Sequence, residues 1–146
     1  MSTTYTFNSV AHKVSSQVPD LKKNLNAAVQ NLETNYRQIT LSAAAEGSNA
    51  IVVTGTVTDA NGAAITAACE VMVRTLSVTA DKADITVTAG TERKTVNAAT
   101  GECISWITTT AAGAFAVSVA NDAAEVTLIS ASTDNGYNAN LRLTFA

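Results

Sequence analysis

The sequence predicts a mainly β protein: a β-sandwich preceded by an N-terminal arm and a single α-helix. Three observations carry this. After the first few residues strand alternation is missing up to about Gly47, with apolar residues from Val14 to Ile39 on a seam of period near 3.5, and from Ile51 onward the period is two. Turn signals then recur at short, even intervals to the end of the chain. The composition is built on Ala, Val and Thr, with 5% aromatic and 14% charged residues, which suits strands better than a helical bundle. A chain of 146 residues has room for one domain of ordinary size and a short appended segment. The division expected is 1–48 for the arm and helix, a docking or anchoring segment, and 49–146 for the sandwich.

The arm opens MSTTYTFNSVAHK and leads into VPDLKKNLNAAVQNLETNYRQI. In that stretch Leu21, Leu25, Ala28, Leu32 and Ile39 follow at spacings of four, three, four and seven, so they share one helical face. Val14 and Val18 extend the seam backwards, and Asn35 falls on it between Leu32 and Ile39. Pro19 suits a first helical turn, and Asp20 near the start and Arg37 near the end agree with the helix dipole. These signs predict a helix from about Val18 to Gln38. Its seam fits a short coiled coil with one register-setting Asn, and equally a stripe packed on its own domain or on a partner. Ser42 to Ala50, SAAAEGSNA, reads as a linker in which Gly47 breaks the helix.

Eight strands are predicted next: Ile51 to Thr58, Ala68 to Val78, Asp84 to Ala89, Glu92 to Val96, Glu102 to Thr109, Ala114 to Val119, Glu125 to Ala131 and Ala139 to Phe145. Asn61-Gly62, Ala89-Gly90, Thr100-Gly101, Ala112-Gly113, Asn121-Asp122 and Asn135-Gly136 supply the turns between them. Short strands at this spacing point to two sheets packed face to face. The expected inward residues are Val53, Val57, Val71, Val73, Ile85, Val87, Ile104, Trp106, Phe115, Val117, Val119, Val126, Leu128, Leu141, Leu143 and Phe145.

Composition narrows the function classes. A net charge of −3 with only 9 Lys+Arg leaves no clustered basic face for phosphates, so no nucleic-acid partner is expected. No apolar run approaches the roughly 20 residues of a membrane helix, and no membrane association is expected. The first residues lack a secretory pattern, so synthesis in the cytoplasm is expected. Cys69 and Cys103 are far apart and the chain has one His, which excludes the usual four-ligand zinc site. Both thiols read as reduced core residues, with a bridge across the sandwich as the alternative.

The stretch VTGTVTDANGAAI has the look of a calcium loop at Asp59-Ala60-Asn61-Gly62, with Glu70 at a suitable distance. Its glycine comes too early, Ala63 stands where a third ligand belongs, and AITAAC supplies no oxygen side chain beyond Thr66. The simpler reading is a strand-linking turn, with Asp59 and Asn61 bonded to backbone and Gly62 at positive φ. His12 is the only histidine and has no acid near it in sequence, and Ser105 and Cys103 lack a nucleophile's glycine-flanked context. No enzyme activity, metal or cofactor is expected.

VTGTVTDANGAAI, ACEVMVRT and TTTAAGAFAVSVANDAAEVTLISAST together resemble the bacterial Ig-like modules of the invasin and intimin type, and the related domains of tailed-phage virion proteins. In that family a first strand ends in TDANG before a small-residue run. A later strand pair follows T-(T/D)-x-x-G, and the pattern closes on a strand such as AEVTLISA. The likeness covers about Ile51 to Ser132, with YNANLRLTFA as the closing strand. Trp106 follows Cys103 instead of lying between the cysteines, so the antibody-type inter-sheet disulfide is not implied. Thr110-Ala111-Ala112-Gly113 also lacks the acid usual in that turn.

The resemblance implies an Ig-like domain, and the context implies its use. Surface adhesins need export signals and usually run in tandem, whereas one module here follows a docking helix. The expectation is a non-enzymatic capsid decoration protein of a phage, made in the host cytoplasm and carried on the virion's capsid surface. Its partner is then the major capsid protein or another virion shell protein. Contact is expected through Tyr5, Phe7, Val14, Val18, Leu21, Leu25 and Leu32, and the N-terminal helix offers a route to a homo-oligomer. The alternative is a carbohydrate- or receptor-binding module of a phage tail or bacterial adhesin, for which Trp106 and Tyr137 are the aromatic candidates.

Overall fold

Alternation of apolar and polar residues from Gln38 onward folds the chain into two antiparallel sheets. The computed structural model describes residues 36–77, 83–98, 101–134 and 137–146, all within the unit Tyr36–Ala146. Nine strands are present there: β1 (Gln38–Ala43), β2 (Ala50–Thr58), β3 (Glu70–Ser77), β4 (Asp84–Ala89), β5 (Thr91–Asn97), β6 (Glu102–Thr108), β7 (Ala114–Ala120), β8 (Val126–Thr133) and β9 (Asn138–Thr144). One sheet has four strands in the order β1-β2-β7-β4, the other five in the order β5-β6-β3-β8-β9. The protein is thus mainly β and a sandwich. Eight of its strands coincide with predicted ones to within two residues at each end.

The ninth, β1, corrects the expected organisation. Gln38–Ala43 pairs antiparallel with β2, from Gln38 opposite Thr58 to Ala43 opposite Val53. Ile39, placed on the helical seam, is instead a buried core residue at 4% exposure. Tyr36 and Arg37 precede the strand in non-helical backbone, so the helix does not extend to Gln38. The supposed linker is the end of β1 and a hairpin turn, and the sandwich begins well before residue 49. Ser48 and Asn49 both take positive φ, 52° and 59°. Gly47 and Ala50 exchange backbone hydrogen bonds of 2.9 and 3.1 Å around them. Two central residues at positive φ match the twist of the strands they join. The remainder of the predicted helix lies outside the described residues.

β2 carries Gly55 in its middle because Phe115, its cross-strand partner on β7, lays its ring over that backbone. A Cβ there would overlap the ring, so the glycine makes room for the largest fully buried side chain. Between β4 and β5 the chain passes from one sheet to the other at Gly90, whose φ is +93°. Asn97 then ties the two edges together. Its Oδ1 accepts from the Ile85 N–H at 2.9 Å and its Nδ2 donates to the Ile85 carbonyl at 3.2 Å. A side chain thereby supplies the pairing that the edge of β4 lacks.

The core lies between the sheets. Val53, Val57, Ile85, Phe115, Val117 and Val119 enter from one side, and Val71, Val73, Cys103, Ile107, Ile129 and Leu143 from the other. Burial of each such side chain contributes about 1.5–3 kcal/mol. Polar groups that reach the interior are paired with one another. Thr75 donates to the Ala83 carbonyl at 2.7 Å, and the Thr95 and Ser105 hydroxyls share a bond of 2.8 Å. Asn121 Nδ2 donates to Thr127 Oγ1 at 3.1 Å and to Glu125 Oε1 at 2.6 Å.

Four of the expected inward residues face the other way. In β6 the buried set is Cys103, Ser105 and Ile107, which turns Ile104 and Trp106 outward. In β8 it is Thr127, Ile129, Ala131 and Thr133, which turns Val126 and Leu128 outward, Leu128 to 48% exposure. Val87 and Leu141 are partly buried and pack against the core. The reason is common to both strands. Apolar residues occupy both faces, and the positions that settle the parity carry small polar side chains able to pair internally.

Candidate functional site

The outward parity of β6 and β8 creates a surface on the five-stranded sheet that differs from an ordinary polar face. Across the strands, in register, lie Glu102, Leu76, Leu128 and Arg142. The neighbouring row is Val96, Ile104, Arg74, Ser130 and Asn140, and the next is Lys94, Trp106, Met72 and Ser132. Leu76, Leu128 and Val96 are 52%, 48% and 43% exposed, and Ile104, Trp106 and Met72 are half-buried. Residues two apart on each strand bring these side chains to one face, while Val71, Val73, Thr75 and Ile129 fill the other.

Charges frame this apolar stripe. Arg74 pairs with Glu102, Arg93 lies 3.7 Å from Glu70, and the Lys94 ammonium sits 5.9 Å from the centre of the Trp106 ring. Two open grooves run across the face. One of about 370 Å³ is bordered by Arg74, Leu76, Glu102, Leu128, Ser130 and Asn140. The other, of about 240 Å³, is bordered by Glu70, Met72, Trp106, Ser132 and Asp134. Chemically such a face offers apolar contact with a few orienting charges.

The opposite outer face, on the four-stranded sheet, is of another kind. Thr40, Ser42, Thr54, Thr56, Ser118 and Thr86 project from it, with Val52 as its exposed large apolar residue. Small hydroxyl side chains give it little to grip a partner with.

The chemical motifs singled out in the sequence fall elsewhere and serve the fold. Asp59 Oδ1 accepts from the backbone N–H of Asn61 and of Ala63, each at 2.9 Å, and Gly62 takes φ +79°. Glu70 is drawn away to Arg93 on β5. The turn thus has the geometry of the simpler reading, with one carboxylate oxygen closing two backbone bonds. Thr110 performs a similar task without an acid. Its Oγ1 accepts from Ala114 N at 3.1 Å, and Gly113 at φ +80° completes the turn.

Ser105 and Cys103 are fully buried, so neither presents a nucleophile to a substrate. Neither cysteine is in a disulfide: Cys103 places its Sγ 3.9 Å from Asp84 Oδ1, and Cys69 is half-buried against Thr109. Tyr137 packs against the core and meets Tyr36 edge-on at 5.8 Å. Its strand end is on the β9 side of the sheet, three strand spacings, or roughly 14 Å, from Trp106 on β6. The two aromatic candidates do not form one patch.

Tyr5, Phe7, Val14, Val18, Leu21, Leu25 and Leu32, the expected docking residues, lie outside the described residues, as does His12. The outer face of the five-stranded sheet was missed by sequence reasoning. The signal that points to it is the ECISWI run, in which apolar residues occupy both parities. No family model matches this chain, and none of the curated proteins is detectably similar to it in sequence.

Proposed function

We propose that this chain is a non-enzymatic structural protein of a phage virion, a capsid decoration protein that displays an Ig-like domain outward. The observation that carries the reading is the agreement between the resembling motifs and their places in the sandwich. VTGTVT is β2 and ends in the Asp59 turn. TAAG is the turn that introduces β7, and VTLISA lies in β8 next to the closing strand β9. The resemblance expects turns and strands in that order. The polar residues within the sandwich support strands and turns, which suits a display scaffold.

The attachment segment in this reading is N-terminal to β1. It contains Tyr5, Phe7, Val14, Val18, Leu21, Leu25 and Leu32, and its partner is the major capsid protein or another shell protein. Many weak contacts on a regular lattice hold such a protein through the number of its copies. Co-sedimentation with purified shells tests the assignment. The full chain should pellet with shells, and a chain of residues 36–146 should stay folded in the supernatant. Equal binding by both chains would place attachment on the sandwich and overturn this division.

A second reading is favoured by one feature. Trp106 borders an open groove with Glu70, Ser132 and Asp134, the mixture of ring and polar groups that sugar recognition uses. Binding of the chain to a glycan array, lost on Trp106→Ala, would favour a carbohydrate-binding module of a phage tail or bacterial adhesin.

A further inference from the structure

The outer face of the five-stranded sheet has a symmetry that its sequence does not announce. β6 and β9 flank the central pair β3 and β8, and one register row runs Glu102, Leu76, Leu128, Arg142 across these four strands. Two exposed leucines thus sit between Glu102, which also pairs with Arg74 of its own chain, and the base Arg142 on the other side. Among the described residues Arg142 makes no ion pair. We propose that this face binds the same face of a second copy of the chain, about a twofold axis that runs parallel to the strands between β3 and β8.

The charge order selects that axis. Rotation about it sets Glu102 of each copy over Arg142 of the other, and Leu76 over Leu128. In the adjoining rows Arg74 meets Ser130, Ile104 meets Asn140, and Met72 meets Ser132. A twofold running across the strands would instead set Glu102 on Glu102 and lose the complementarity. At the end of the central pair Glu70 of each copy approaches Asp134 of the other, and Arg93, 3.7 Å from Glu70, offsets the two acids.

Size sets the strength of the contact. Four strands about 4.8 Å apart and seven residues long present a flat face of roughly 450 Å² per copy. The pair buries roughly 900 Å², below the roughly 1,200 Å² at which stable specific interfaces begin, so the association is weak and reversible. It becomes populated where copies are concentrated. Both leucines, near one end of the face, are desolvated together, and Glu102 and Arg142 fix the register.

Sedimentation equilibrium of the full chain from about 10 µM to about 1 mM, with concentration-dependent amide shifts mapped by NMR, tests this. A monomer–dimer equilibrium is expected, with shifts centred on Leu76, Leu128 and Arg142. Leu128→Glu should weaken it by about tenfold or more, and so should either Glu102→Arg or Arg142→Glu alone. The informative step is to mix the last two variants. Each is self-repelling, yet the Glu102→Arg chain and the Arg142→Glu chain complement one another at both symmetric contacts, so a heterodimer should form on mixing. Circular dichroism checks that each variant is folded. A chain that is monomeric at about 1 mM overturns the proposal. So does an oligomer indifferent to Leu128→Glu, and so does failure of the two charge variants to associate on mixing.

Discussion

Asp59 shows how much chemistry a turn can absorb. One of its carboxylate oxygens accepts two backbone N–H bonds, which leaves that oxygen no longer free to act as a cation ligand. Asp59→Ala should therefore lower stability by about 1 kcal/mol in urea unfolding, while millimolar calcium leaves the wild-type midpoint unchanged. Gly55 makes a stronger prediction. A methyl group there meets the Phe115 ring, and Gly55→Ala should cost about 2 kcal/mol or more, by the same measurement. Phe115→Leu combined with Gly55→Ala should recover part of that loss, because the smaller side chain frees the space above β2. At this scale the sequence was readable where a residue type has few alternative uses. Gly62, Gly90 and Gly113 all take positive φ at turns expected from sequence. Gly55 was not readable as a ring contact, because its partner is sixty residues away and only the register of β2 on β7 brings Phe115 over it.

Among the elements, β1 teaches the most. QITLSA contains just two large apolar residues in alternation, Ile39 and Leu41, and Ile39 also continues the 3.5-residue seam of the segment before it. A local pattern that short cannot decide between periods, and pairing with β2 decides it. The turn was obscured for a related reason. Ser48-Asn49 is a less usual occupant of two successive positive-φ positions than Asn-Gly, so it reads as a polar linker. The parity of β6 and β8 escaped because Ser105 and Thr127 are buried polar residues whose partners, Thr95 and Asn121, lie ten and six residues earlier, outside the strand whose alternation was read. A truncation series checks the placement of β1. Residues 36–146 should unfold cooperatively, and residues 49–146, without Ile39 and with the edge of β2 bared, should be at least about 2 kcal/mol less stable and prone to aggregate.

The whole molecule joins a sandwich, whose interior polar groups are internally paired, to a preceding segment in which the attachment role is proposed to reside. The sandwich presents two unlike faces, one of small hydroxyl residues and one with an apolar stripe framed by charge. In the proposed virion role, attachment through the N-terminal segment would leave the sandwich displayed, and weak self-association through the charged and apolar face would link neighbouring copies without being needed for attachment. The two contacts are therefore separable. Leu128→Glu should leave co-sedimentation with shells within about twofold of wild type while removing self-association. Most of the strand order along the chain could be read from sequence, since turns and alternation are local. The sheet order and the composite face could not, because they depend on pairings such as β2 with β7 and β3 with β8. The proposed role makes the chain a structural component of a virion. Quantitative mass spectrometry of particles purified from the genome that encodes it tests this most directly. A virion component should be found at a fixed, high ratio to the major capsid protein, and its presence in the lysate with absence from the particles would overturn the proposed role.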